Sequence, residues 1–258
     1  MNLKTFALTL LATTASAQTL NTNALLEGLD IGARAGYYRY SENPNFMELE
    51  GVSNIGVDAA YQTMANVPFL GQQAVRIEGR LSRSQDGYSS ASGFTNGNES
   101  TVAEVRTLLV GRYDVGSLTL NPYWGYGYRY LKNDLQDTAT ALGYERTSQY
   151  HYLPLGTWLA MPVTNKVSAI GQVEYAPLIY GRQHSAINSG LDNTQTSGHH
   201  IRLFGGARYA GLTVGPYAEF WRVDDSDTSC ASSFCGYEPK NFTREVGVKA
   251  TYHFGGAR

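Results

Sequence analysis

After residue 17 the chain has no apolar run long enough to cross a bilayer as a helix, which takes about 20 such residues. A helical membrane protein is thereby excluded. The chain is also poor in lysine, and its only cysteines are Cys230 and Cys235. It lacks a charge of one dominant sign, with 20 Lys and Arg against 22 Asp and Glu. That balance excludes the basic footprint of a nucleic-acid-binding protein. No glycine-rich phosphate loop, HExxH zinc helix or EF-hand loop is present, so no cofactor, metal site or catalytic residue is expected from a motif. What the chain does have is 28 Gly and 19 Tyr at a mean hydropathy of −0.30. Low hydropathy with abundant Gly and Tyr suits a barrel in which every second residue faces a polar lumen.

The first seventeen residues have the form of a secretory signal. Lys4 supplies the positive start, Phe6 to Ala12 (FALTLLA) the short apolar stretch, and Ala15-Ser16-Ala17 an A-x-A cleavage site before Gln18. Residues 1–17 are therefore read as signal peptide and 18–258 as one domain, with no linker or repeat to divide it. Cleavage removes one lysine and leaves 19 basic against 22 acidic residues, near −3. In an oxidising compartment, Cys230 and Cys235 are expected to form a disulfide closing a small loop.

The main signal is a period of two. A strand sends successive side chains to opposite faces, and a membrane barrel puts apolar residues on one parity and polar ones on the other. Over 29–38, Leu29, Ile31, Ala33, Ala35 and Tyr37 alternate with Asp30, Gly32, Arg34, Gly36 and Tyr38. Over 118–130, Leu118, Leu120, Trp124, Tyr126, Tyr128 and Tyr130 oppose Thr119, Asn121, Gly125, Gly127 and Arg129. Such segments fall at about 28–40, 52–63, 72–84, 101–114, 118–131, 147–161, 167–183, 198–210, 212–224 and 243–254. They predict an all-β, antiparallel transmembrane barrel of ten strands, with eight or twelve left open. Most exceed the ~9–11 residues that a tilted strand needs to cross. The gaps alternate: long at 41–51, 85–100, 132–146, 184–197 and 225–242, short at 64–71, 114–117, 162–166 and 210–211. Long loops on the cell surface and short turns toward the periplasm are the outer-membrane arrangement. A soluble barrel would point its apolar face inward; here the apolar faces end in aromatic clusters, as a membrane-interface girdle does. Pro122, Pro154, Pro177 and Pro216 interrupt proposed strands, where proline removes a ladder hydrogen bond. Pro122 and Pro216 are placed near the periplasmic rim, and Pro154 and Pro177 at bulges.

The signal, the strand pattern, the loop alternation and the ending Tyr252-His253-Phe254 resemble small Gram-negative outer-membrane β-barrels of the OmpA, OmpX and opacity types. The resemblance covers nearly the whole mature chain. It implies a bacterial outer-membrane location, with outer-membrane lipid and lipopolysaccharide as surroundings. It also implies insertion by the barrel-assembly machinery. The C-terminus departs from that class, because Gly-Gly-Ala-Arg follows Phe254.

On the inward parity Arg34, Arg76, Arg80, Arg106, Arg112, Arg129, Arg202, Arg208 and Lys249 are basic. Asp58, Glu78, Glu104, Glu174, Glu219 and Glu245 are acidic. They could line a narrow pore favouring anions, or fill the lumen as an ion-pair network. Eight strands leave room only for side chains, and about 16–18 give an open channel, so ten favours the filled lumen. Arg39, Arg83 and Arg222 lie on the lipid parity at the loop ends of their strands. There they are candidates for the phosphates of lipopolysaccharide, or for ordinary snorkelling. A protease of the omptin type is also ten-stranded, and uses acids and a His at the outer mouth. The order and spacing of Asp224, Asp225, Asp227, His151, His184, His199 and His200 do not reproduce that pattern. The expectation is a non-enzymatic surface barrel acting in envelope integrity or adhesion, with a host or surface ligand met through the loops. The alternative is a narrow porin-like channel for small solutes.

Overall fold

The computed structural model describes residues 25, 27–42, 46–187, 190–231 and 234–255, so residues 1–17, expected to be a secretory signal, lie outside the described residues. The strands are β1 (Gly28–Glu42), β2 (Met47–Val67), β3 (Gly71–Ser90), β4 (Gly93–Val110), β5 (Tyr113–Val115), β6 (Leu118–Asp134), β7 (Glu145–Tyr152) and β8 (Leu155–Pro162). They continue with β9 (Val167–Ser185), β10 (Leu191–Gln195), β11 (Gly198–Tyr209), β12 (Leu212–Val223), β13 (Thr228–Ala231), β14 (Phe234–Tyr237) and β15 (Asn241–Phe254). β4 with β5, β7 with β8, and β10 with β11 each make one interrupted stave, because both pieces pair with the same neighbour. Every pairing is antiparallel. β15 closes on β1 from Leu29↔Phe254 to Glu42↔Asn241, giving a closed barrel of ten staves.

The side-chain parity is the predicted one through most of the wall. Ile31, Ile77, Leu81, Val105 and Val248 are about half exposed on the outer face, while Arg34, Arg80, Glu104, Arg129 and Glu219 are buried within. Irregularities interrupt it at three places in the described wall, one of them between Asp86 and Tyr88 near the β3–β4 hairpin. The register shifts in β2 between Glu50 and Ile55, so the inward residues change from Leu49 and Gly51 to Asn54 and Gly56. It shifts again where β7 meets β9, so Leu178 and Gly181 both face inward. Pro154 falls in the break between β7 and β8. There Leu153 N–H donates to the Pro177 carbonyl (3.1 Å), and Gly125 N–H donates to that of Pro154 (3.1 Å). The prolines still accept, so the break costs the ladder little beyond their missing donors.

The ten segments are all present, but the wall rises higher at the long-loop end than the alternation implied. Predicted loop 85–100 is a tight hairpin between Ser90 and Gly93, and 41–51 is mostly strand. Ser, Asn and Gly there read as loop composition. In the barrel they pair along the ladder, and their inward side chains bond each other. Asn133 Nδ2 donates to Ser100 Oγ (2.8 Å), and Asn98 Oδ1 accepts from Gln136 N–H (2.8 Å). Loop 184–197 contains β10, and loop 225–242 contains the β13–β14 hairpin.

The interior is layered. Toward the short turns, Leu108, Val110, Tyr123, Trp158, Ala160 and Ile170 pack together with Leu25, which precedes β1. Toward the long loops, Tyr38, Tyr40, Met47, Leu49, Val102, Leu131 and Leu135 form a second cluster. Tyr150, Tyr152, Ala176, Leu178, Trp221 and Val223 form a third. The charged residues occupy the layer between.

Candidate functional site

The charged layer runs across the lumen rather than along its wall. Arg202 on β11 meets Glu104 on β4 (2.8 Å) and Glu219 on β12 (3.3 Å). Arg106 on β4 meets Glu174 on β9 (2.7 Å) and Glu78 on β3 (2.5 Å). Arg34 on β1 meets Glu219 (2.9 Å) and, through Nε, Asp58 (3.0 Å). Arg80 pairs with Glu219 (2.7 Å) and Glu245, and Arg76 with Glu78 (2.6 Å) and Asp30 (2.8 Å). Lys249 lies 3.6 Å from Asp58. Hydroxyls complete the carboxylates: Tyr123 donates to Glu174 (2.6 Å) and Tyr152 to Glu104. Arg129 is fully buried. Its guanidinium lies over the rings of Trp221 (5.1 Å) and Tyr150 (5.9 Å), with Glu245 3.9 Å away. His200 stacks on Trp221 (4.3 Å between centroids) midway between Glu174 and Glu219, 3.6 Å from each.

Arg208 lies inside and donates from Nε to Thr213 Oγ1 (3.0 Å), and thirteen of the fifteen charged residues read on the inward parity meet in one connected cluster. Arg112 does not. β4 ends at Val110, and Arg112 sits in the break before β5, exposed and paired with Asp114 (3.0 Å). Parity carried through a break in a stave assigns the residue there to a face it does not have. The inward parity implies a positive excess, but the described residues of the lumen do not carry one. Asp30, Asp86, Glu42 and Glu238 face inward and offset it. A cavity of about 80 Å³ remains among these groups, bordered by Asp30, Arg34, Arg76, Lys249 and Leu25. A water occupies about 30 Å³ of liquid, so the cavity has room for a few waters.

A second cluster bars the outer mouth. Arg146, at the start of β7, reaches across to Glu42 on β1 (2.7 Å) and to Glu238, which follows β14. Its other Nη donates to Met47 Sδ (2.7 Å), and the Tyr40 hydroxyl lies 2.9 Å from Glu42 and 3.0 Å from Glu238. Two carboxylates share one guanidinium in a buried place. Burial pushes the Glu238 carboxyl up to about 8; Arg146 pulls against this, and Glu42 adds to the rise. The loop that carries Glu238 is fastened beside it. Asp227 N–H donates to Thr194 O (3.0 Å), Asn193 Nδ2 donates to Gly236 O (3.1 Å), and the Cys230–Cys235 disulfide ties β13 to β14. None of Glu42, Arg146 or Glu238 was singled out from the sequence for this role. Glu42 continues the inward parity of Tyr38 and Tyr40, and Arg146 that of Ser148 and Tyr150, which is the signal that could have found them.

The three rim arginines face outward, and each already has an acid: Glu48 for Arg39 (2.6 Å), Glu99 for Arg83, and Asp224 for Arg222 (3.2 Å). The candidate protease residues are scattered. His151 faces outward against Tyr126 and Tyr128, and His199 stacks on Tyr175. His184 pairs with Asp192 (3.0 Å) on an exposed ladder. Asp225 accepts from Lys240 N–H (2.7 Å), and Asp227 from Thr194 N–H (2.6 Å). The run at 224–227 therefore organises a turn, and among the described residues no histidine bonds to it.

No protein-family model and no curated protein matches the sequence. Solved structures do match it. The outer membrane protease OmpT from Escherichia coli aligns over 93% of this chain and 100% of its own, at 9% identity and a TM-score of 0.51. This chain has the fold of an outer-membrane β-barrel. The translocator domain of the autotransporter NalP from Neisseria meningitidis covers 88% of the barrel and 89% of its own chain, at 14% identity and a TM-score of 0.38. The transport unit of the autotransporter AIDA-I from Escherichia coli covers 91% and 93%, at 10% and 0.42. At such identities the likeness is one of fold, and it assigns the barrel no activity.

Proposed function

We propose that the protein is a non-enzymatic barrel of the bacterial outer membrane that is closed to solutes. In this reading it acts through its outer surface, in envelope integrity or in adhesion by its loops. The observation that carries this reading is the charged layer spanning the lumen between apolar layers. Ions crossing it would have to break several buried ion pairs, and removing one partner of such a pair costs about 3–5 kcal/mol. A narrow channel would need a continuous polar path. Here Tyr40, Leu49 and Leu131 stand in the path at the outer end, and at the short-turn end Leu108, Trp158 and Ile170 narrow it beside Asp30, Arg208 and His253. Planar-bilayer recording tests the reading: no reproducible steps are expected, and large salt-dependent steps would overturn it.

Export, cleavage after Ala17 and insertion by the assembly machinery belong to the same proposal. N-terminal sequencing of outer-membrane material should begin at Gln18. Intact cells expressing the protein should not cleave dibasic peptides; cleavage lost in D225A would make it a protease instead.

A further inference from the structure

We propose that the outer face of β12, β15 and β1, just above the apolar band, binds the phosphate of a lipid headgroup through Arg39, Arg244, Arg222 and Lys240. The inference rests on the outer-membrane reading and adds a ligand site to it. In the ladder Arg244 lies directly opposite Arg39 on β1 and opposite Phe220 on β12. One row further out, Arg222 faces Phe242, and the Lys240 ammonium lies over the Phe242 ring (5.8 Å). Four cations thus share one patch of wall. Glu48 and Glu50 flank it on β2, and Asp224 takes both Arg222 (3.2 Å) and Lys240 (3.5 Å).

Arg244 is left over. It is exposed, and among the described residues it has neither a hydrogen bond nor an ion pair. Like charges directly opposed across a ladder destabilise a sheet unless an anion lies between them. A phosphate accepts from two guanidinium forks at once, which turns that repulsion into binding. Below this row the same face is apolar, with Ala35, Val246, Val248 and Pro216 on the lipid parity. An occupant with an anionic head and hydrocarbon tails fits both parts, and a free anion fits only the upper one. Arg83 has no such company. It stands on β3 with Glu99, so the three rim arginines do not form one site.

The test uses the full barrel refolded in neutral-detergent micelles. It is titrated with micelles carrying a diphosphorylated glycolipid, with the dephosphorylated glycolipid, and with inorganic phosphate. R39A/R244A should weaken binding of the phosphorylated lipid at least tenfold, R244K, which keeps the charge and loses the fork, should weaken it less, and R83A should stay within twofold of the unsubstituted protein. Unchanged affinity in R39A/R244A would overturn the site, as would equal binding of the dephosphorylated lipid. Displacement by inorganic phosphate at the concentrations that suffice for the lipid would make it a free-anion site and overturn the lipid assignment. Heat-dependent gel mobility shows that each variant is folded. Insertion of the unsubstituted protein into vesicles tests the membrane reading separately.

Discussion

Single residues set how the mouth responds to pH. Glu238 binds its proton more tightly in the folded protein than in the unfolded chain, because burial and Glu42 oppose its charge. From the unfolded carboxylate value near 4.5 up to about 8, the folded state therefore holds the extra proton, and stability falls as pH rises through that window. The latch is complete at acid pH and weakest above about 8. Amide exchange in residues 225–240 should be slower at pH 5 than at pH 8.5, and E238Q should abolish the difference; an unchanged difference in E238Q would place the titration elsewhere. Inside the wall the expected effect is one of lost partners. R202M leaves Glu104 and Glu219 short of a cation and should lower the unfolding free energy in urea by about 3–5 kcal/mol. E104Q/R202M should lose less than the sum of the two single changes, because it removes both halves of one pair.

Elements show what period two can and cannot reveal. Alternation located all ten staves because nearly every spanning segment keeps one parity from end to end, as Leu118 to Tyr130 does on β6. It could not see the shifts in β2 and β9, since a bulge inserts one residue of no special composition and inverts every face beyond it. It also could not see that Ser84, Asp86, Asn98 and Ser100 remain strand, because polar residues above a membrane pair as well as they loop. The mouth latch was missed for the same reason: Glu42 and Arg146 sit where loops were expected. The short gap at 210–211 is a two-residue hairpin, Ala210-Gly211, which needs positive φ at both positions. Ala210 has φ 46° and Gly211 φ 84°. An alanine pays for that conformation and a glycine does not, so A210G should raise stability by about 0.5–1 kcal/mol, read from the urea midpoint.

For the whole molecule, the layered interior makes permeability a property of packing. R106A/R202A deletes two cations that cross the lumen and should give small conductance steps where the unsubstituted barrel gives none. Silence in the folded double variant would mean that the apolar layers alone are the seal. Which task the outer surface performs was not legible in the sequence, because the loops carry no motif whose chemistry is fixed by residue type and spacing. The seam between β1 and β15 has a different kind of consequence. It runs for fourteen residue pairs, and it joins the earliest barrel strand to be synthesised with the latest. Arg34 cannot reach Glu219, nor can Asp30 reach His253, until the whole chain has been delivered. The wall is a ring of neighbours whose covalent starting point is almost arbitrary. A permuted chain opened at the 163–166 turn and joined across the seam should rebuild the same barrel, but it would finish at a different place.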